Sequence, residues 1–312
     1  MFEVISKVLP IILLTMSGLL MKKFDFIGEE TIGGIKKLIL NICLPSTLFV
    51  TFLNLNLQME YLVLMVFMMV LFFLLYITGG ALGRFFNYKS GMSEFFSTGF
   101  AFGLVGIPLF SIVFGEENMG LYSVMGLSHE IFVWFIYFPV LSMKLGGKRD
   151  GNSAGVFKSP LNISVFLGVL FNVMGLGTIF QGNFLLAGMI GTLRYLGSVN
   201  APLILICIGY GMNFDKTYMA ESIKLSVIRV ITTFSVGYIF KWGVLDRIGA
   251  IDGEVFSYSF FTLIVLPPIF SLSLFLSKYG RKEQEQVISN ATVHCTILSM
   301  VLFVGYNILR AM

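Results

Sequence analysis

The chain has 312 residues, of which 56% are hydrophobic, 15% aromatic and only 12% charged, with a mean hydropathy of +0.88. A water-soluble protein of this size needs about a quarter of its residues charged to cover its surface, so most of this surface faces lipid. The net charge of +4 comes from 21 basic and 17 acidic residues scattered between apolar blocks, which reads as loop charge and not as a nucleic-acid-binding face. Cys43, Cys207 and Cys295 lie in apolar runs that give neither metal-ligand spacing nor a disulfide framework.

A helix crossing the ~30 Å hydrocarbon layer needs about 20 mostly apolar residues, because lipid cannot satisfy an open backbone. Ten segments qualify, near 3–21, 35–53, 61–83, 93–114, 119–143, 160–179, 185–212, 218–240, 255–276 and 286–309. Glu3 precedes the first apolar run and no small-residue cleavage pattern follows, so this run reads as a spanning helix and not as a removable leader. Glycine or proline interrupts the fourth, seventh and ninth, the least regular of the set.

Orientation follows from Lys and Arg, which are retained on the cytoplasmic side. Connections after odd-numbered spans hold fifteen, including Lys22, Lys23, Lys36, Lys37, Lys144, Lys148, Arg149, Arg281 and Lys282; the other side holds Lys7, Lys241, Arg247 and Arg310. Both termini are therefore expected outside a plasma membrane crossed many times.

The basic, Gly-rich stretch after span five divides the chain into a first five-helix repeat, 1–145, a cytoplasmic linker, 146–158, and a second repeat, 159–312. Five is odd, so the second repeat starts on the opposite side of the membrane and is inverted. Matched residues agree. Asn41 and Pro45 in span two answer Asn200 and Pro202 in span seven; Gly99, Gly103, Gly106 and Pro108 in span four answer Pro267 and Pro268 in span nine; His129 and His294 sit at comparable depths in spans five and ten. The expected fold is an all-α, polytopic membrane protein of ten transmembrane helices in two inverted repeats, with helices 4 and 9 broken.

Proline within a spanning helix removes a backbone donor, and the polar groups set free need protein, water or a ligand. Carriers build midplane sites this way. Helix breaks are expected at Gly99, Gly103, Pro267 and Pro268, although glycine and proline also serve ordinary kinks and close packing in membrane helices. Glu130, mid-span beside His129, needs a partner or a wet cavity. It reads either as a substrate or proton site, with His129 and His294, or as a hydrogen-bonded packing residue. Arg194 is close enough to a span end to snorkel, whereas Arg229, mid-span, is a candidate partner for Glu130 or for a substrate carboxylate. Asn41, Ser46 and Asn200 line a cavity or act as interhelical glue. No Walker loop, H-E-x-x-H or paired intramembrane aspartates appear in the sequence, and no cofactor, metal or catalytic set is assigned.

Several motifs together resemble the auxin efflux carrier family, with its plant PIN-type and bacterial malate- and malonate-type members. They are Gly106-Ile-Pro108-Leu ending at Gly115, Asn41-Ile-Cys-Leu-Pro45, Ala201-Pro-Leu-Ile-Leu with Gly209 beyond, and Pro267 twelve residues before Tyr279. The resemblance spans nearly the whole chain. It implies a homodimer, through helices 2 and 7, of a ten-helix carrier. Spans one, two, six and seven would form a scaffold, and the rest a moving domain in which spans four and nine break and cross. The implied cargo is a small organic anion, a carboxylate, moved by an elevator-type mechanism.

Carried onto this chain, the crossovers fall at Pro267 and near Phe100 to Gly103. Substrate contacts are expected from Ala101, Gly103, Val105, Leu266 and Pro267, from His129, Glu130 and His294, and from Asn41 and Asn200. Two departures stand out. Ala101 occupies a position where family members commonly have Asn, and Glu130 one where PIN-like carriers tend to have Gln, which suggests proton coupling through Glu130 and His129. The short central loop looks bacterial, implying an inner membrane. Two rival readings are a sodium-coupled carrier of bile-acid-symporter type and a non-transporting membrane receptor on the same bundle.

Overall fold

The computed structural model describes residues 2–54, 59–88, 91–115, 118–145, 160–177, 182–211, 216–247 and 253–310, among which every regular element is helical. In chain order these are α1, Phe2–Lys23; α2, Glu29–Leu53; α3, Met59–Phe85; α4, Ser93–Thr98; and α5, which opens as a wide π turn over Phe102–Gly106 and continues through Ile107–Phe114. Then come α6, Met119–Lys144; α7, Pro160–Val173; α8, Phe184–Gly211; α9, Met219–Arg247; α10, Glu254–Val265; α11, Ser271–Tyr279; and α12, Lys282–Arg310. The predicted linker, 146–158, lies outside the described residues.

Among the described residues six rods, α2, Tyr61–Phe85 of α3, α6, α8, α9 and α12, are long and apolar enough to cross a membrane. They coincide with predicted spans two, three, five, seven, eight and ten. Predicted spans four and nine are each two helices separated by an extended stretch, α4/α5 and α10/α11. Span six has a shorter helix than expected, since α7 ends at Val173 and a turn follows.

Proline does not break α2 or α6. Pro45 and Pro139 lack the N–H that would close an α turn, and each is preceded by a π turn, Ile39–Cys43 and Val133–Tyr137, that widens the helix without ending it. A further π turn, Thr232–Val236, leads into Gly237, where a Cβ would come within 2.9 Å of Ile264.

The chain forms two compact units, and each draws segments from both halves of the sequence. One comprises Leu9–Asn56 and Arg149–Gly211, with α2, α7, α8 and most of α1. In it Gly18 lies against the Ile206 carbonyl and Gly209 against the Thr15 carbonyl, so α1 and α8 cross at backbone distance with no room for a side chain. Leu13, Met16 and Leu20, on the other face of α1, are exposed, as a lipid-facing stripe must be. The other unit comprises Met1–Val8, Leu57–Lys148 and Met212–Met312, and holds α3–α6 and α9–α12. Within it Gly79 and Gly83 of α3, one turn apart, press on Ser97 and Ser93 of α4, a small-residue seam of the kind that brings membrane helices close.

Candidate functional site

The two interruptions lie in the same unit and are bonded to each other. In the second, Pro267 and Pro268 hold the preceding residues out of the helical region, and Leu266 takes φ −55°, ψ 146°. The first has no proline. Gly99 takes an extended conformation, φ −80°, ψ 135°, and Ala101 forms an inverse γ-turn, φ −75°, ψ 54°, with the Phe102 amide on the Phe100 carbonyl at 2.7 Å. The Ala101 amide donates to the Pro267 carbonyl at 2.9 Å. A Cβ on Gly99 would come within 2.8 Å of Ile269, so glycine is what lets the two stretches approach.

The break therefore lies at Gly99 to Ala101, and Gly103, also expected to break the helix, sits inside the first turn of α5. Val105 and Gly106 both donate to the Ala101 carbonyl, at 3.0 and 3.1 Å. The amides of Gly103 and Leu104 have no intrahelical acceptor behind them. Gly103 is half-exposed, and a Cβ there would meet nothing within 4 Å. The positive end of the α5 dipole thus opens on free space, whereas Ala101, Val105, Leu266 and Pro267 are buried.

His129 completes the first break. Its Nε2 accepts the Phe100 amide at 2.9 Å, which puts the ring proton on Nδ1. That nitrogen lies 3.6 Å from Oε1 of Glu130, while Oε2 of Glu130 accepts the Trp134 indole at 2.7 Å. His129 is fully buried, and Glu130 is only 9% exposed. Both have immediate protein partners, so the packing role is real, and the imidazole and carboxylate remain adjacent titratable groups at the break.

Arg229 is not the partner of Glu130. Its Nη1 donates to the Phe96 carbonyl and its Nη2 to the Leu266 carbonyl at 3.0 Å. The guanidinium also stands over the Phe100 ring, 4.8 Å from its centre. It lines a small pocket with Thr233, Val265, Leu266, Cys295 and Ser299. This role was hidden in the sequence, because nothing local to Arg229 marks carbonyls in α4 and at the end of α10 as its acceptors. His294 does not line that pocket. Cys295 does, and neighbouring positions on a helix point about 100° apart. His294 is half-buried on α12, with Nδ1 enclosed and unbonded.

Phe102 and Tyr122 carried no signal in the sequence. The Phe102 ring lies flat where a side chain on Gly126 would be, and tilts against Tyr122 with centres 4.9 Å apart. Tyr122 stacks on Phe110 at 4.3 Å, and its hydroxyl, buried and unbonded, abuts Gly106. The hydroxyls of Ser97, Ser259 and Thr262 are also buried and unbonded, on the half-helices that lead into the breaks.

The remaining expected residues belong to the other unit. Asn41 is exposed, and its amide returns to the Lys37 carbonyl of its own helix at 2.8 Å. Ser46 likewise donates to Ile42 at 2.8 Å. Asn200 is buried and reaches Thr47 Oγ1 at 3.5 Å, joining α8 to α2 as interhelical glue. Arg194 is exposed.

Two archaeal proteins resemble the chain, each described as an uncharacterized transporter. The one from Methanothermobacter thermautotrophicus is 25% identical over 240 residues, 72% of this chain and 74% of its own length. The one from Methanocaldococcus jannaschii is 26% identical over 219 residues, 66% and 68% of the two lengths. Residues 3–156 match the model of the membrane transport protein family. With its apolar rods, its two interrupted helices and that match, the chain is similar to the membrane transport protein family, the family of the auxin efflux carriers, over those residues.

Proposed function

We propose that the protein is a secondary transporter of a small organic anion, a mono- or dicarboxylate, working by elevator-type alternating access across the plasma membrane. The observation that carries this reading is the pair of interrupted helices joined at Ala101 and Pro267, with the amino end of α5 open at Gly103. Lipid cannot solvate such backbone, so it persists only where protein shelters it or a cavity bathes it. Broken half-helices in carriers present positive ends to anionic groups, and the first-turn amides of Gly103 and Leu104, which lack an intrahelical acceptor, suit a carboxylate.

In this reading the unit of α3–α6 and α9–α12 carries the anion, and the unit of α2, α7, α8 and most of α1 is the scaffold, dimeric through α2 and α8. The two five-helix halves, 1–145 and 159–312, act as inverted repeats, which lets one cargo site serve both faces. Both termini lie outside. Glu130 and His129, adjacent at the first break, supply a route for coupling to protons. Asn41 and Asn200, on the scaffold, are left out of the cargo site.

The test is uptake and counterflow of labelled mono- and dicarboxylates in proteoliposomes, after a thermal-shift screen to choose candidates. Saturable uptake with counterflow supports the reading. Binding without counterflow for every stabilising anion sinks it and favours a receptor.

A further inference from the structure

Arg229 presents an unusual combination. It is 3% exposed, sits mid-way along an apolar rod, and has no carboxylate within ion-pair distance among the described residues. A buried charge without a counter-charge costs several kcal/mol, on the order of the stability of a small domain. Something must offset it.

The compensation comes from helix ends. Phe96 lies in the last turn of α4, and Leu266 is the residue that ends α10. Their carbonyls are thus negative dipole ends of the two first half-helices, and both converge on one guanidinium. A helix C-terminus carries roughly half an elementary charge, so two together approach the single positive charge of an arginine. The faces of Phe96 and Phe100 add cation–π contacts at 5.7 and 4.8 Å.

Unwound carbonyls and half-helix C-terminal ends are also what sodium-coupled carriers use to hold their driving ion. We propose that Arg229 is a tethered cation filling the place an exchangeable alkali ion would take, which makes this carrier independent of sodium. A guanidinium carries its charge near neutral pH and, being tethered, cannot leave, so the dipole ends remain neutralised throughout a transport cycle. Arg229 is then a positioning residue that holds both half-helices in register and determines which ion does not couple. The transport consequence rests on the carrier reading above; the cation site itself does not.

The experiment uses the purified full chain in detergent micelles, melted in sodium, potassium and choline chloride at equal ionic strength. Wild type is expected to melt at the same temperature in all three. Arg229→Ala is expected to melt lower in choline, and to recover about 3 °C or more in millimolar methylguanidinium chloride or in sodium chloride. Specific stabilisation of wild type by sodium overturns the proposal, as does an Arg229→Ala protein indifferent to both added cations. If the alanine variant does not fold, Arg229→Lys, which keeps a tethered charge, is expected to be as indifferent to sodium as wild type, and sodium-specific stabilisation of it overturns the proposal. In proteoliposomes, replacing sodium by choline is expected to leave wild-type uptake unchanged. Uptake absent in every salt counts against the carrier reading, whereas the melts decide the cation site.

Discussion

The amide of Ala101 donates to the carbonyl of Pro267 at 2.9 Å, so the backbone of each interrupted helix ends on the other. This bond accounts for how two stretches of open main chain survive in an apolar bundle. Each supplies a group the other lacks, and His129 and Arg229 satisfy three more, the Phe100 amide and the Phe96 and Leu266 carbonyls.

The contact between the two breaks depends on Gly99. Gly99→Ala brings a methyl within 2.8 Å of Ile269 Cγ1, and overpacking of this kind costs about 1–3 kcal/mol. The variant is expected to melt lower than wild type. The Gly99→Ala/Ile269→Ala pair is expected to be less destabilised than the sum of the single changes, by about 1 kcal/mol or more. Strict additivity in melting experiments would show that the two residues do not press on each other.

Gly103 is the opposite case. A methyl there meets nothing within 4 Å, so Gly103→Ala is expected to leave the melting temperature unchanged. Because Gly103 lies in the first turn of α5, where the proposed carboxylate binds, the same substitution is expected to cut carboxylate uptake by about tenfold, equivalent to about 1.4 kcal/mol of lost interaction. Uptake at the wild-type rate would move the cargo away from this turn.

His129→Leu removes the acceptor of the buried Phe100 amide. An unpaired buried amide costs about 1–3 kcal/mol, so the melting temperature is expected to fall and hydrogen exchange at Phe100 to quicken. His129→Gln, whose side-chain carbonyl can accept the same proton, is expected to recover part of the loss. Equal melting of the leucine and wild-type proteins would remove His129 from the structure of the break.

Glu130→Gln separates charge from hydrogen bonding. The amide oxygen can still accept the Trp134 indole that now donates to Oε2 at 2.7 Å, so stability is expected to hold. If Glu130 exchanges a proton during transport, the uptake rate of the variant loses its dependence on pH. A pH profile identical to that of wild type rules this residue out of coupling.

Different physics decided the two interruptions. Pro267 and Pro268 restrict the residue before each and donate no hydrogen bond, a covalent rule that acts wherever the chain lies, so the break at Leu266 was legible in the sequence. Gly99 and Gly103 both permit a bend, and only packing chose between them. Ile269 and His129 engage Gly99 and Phe100, while Gly103 faces open space and winds into α5.

Composition and hydropathy by themselves determined that this is a bundle of apolar rods with basic connections, because the bilayer sets the length of every span and penalises every charge within it. The tertiary structure alone decided what the few buried polar groups do. Glu130 answers to Trp134 and His129 on its own helix, whereas Arg229 bonds to carbonyls of α4 and α10 and not to the carboxylate that charge alone had suggested. The acceptors of Arg229 lie 133 and 37 residues away along the chain. They are backbone oxygens freed only once the helices break, and a backbone oxygen looks the same at every position of a sequence.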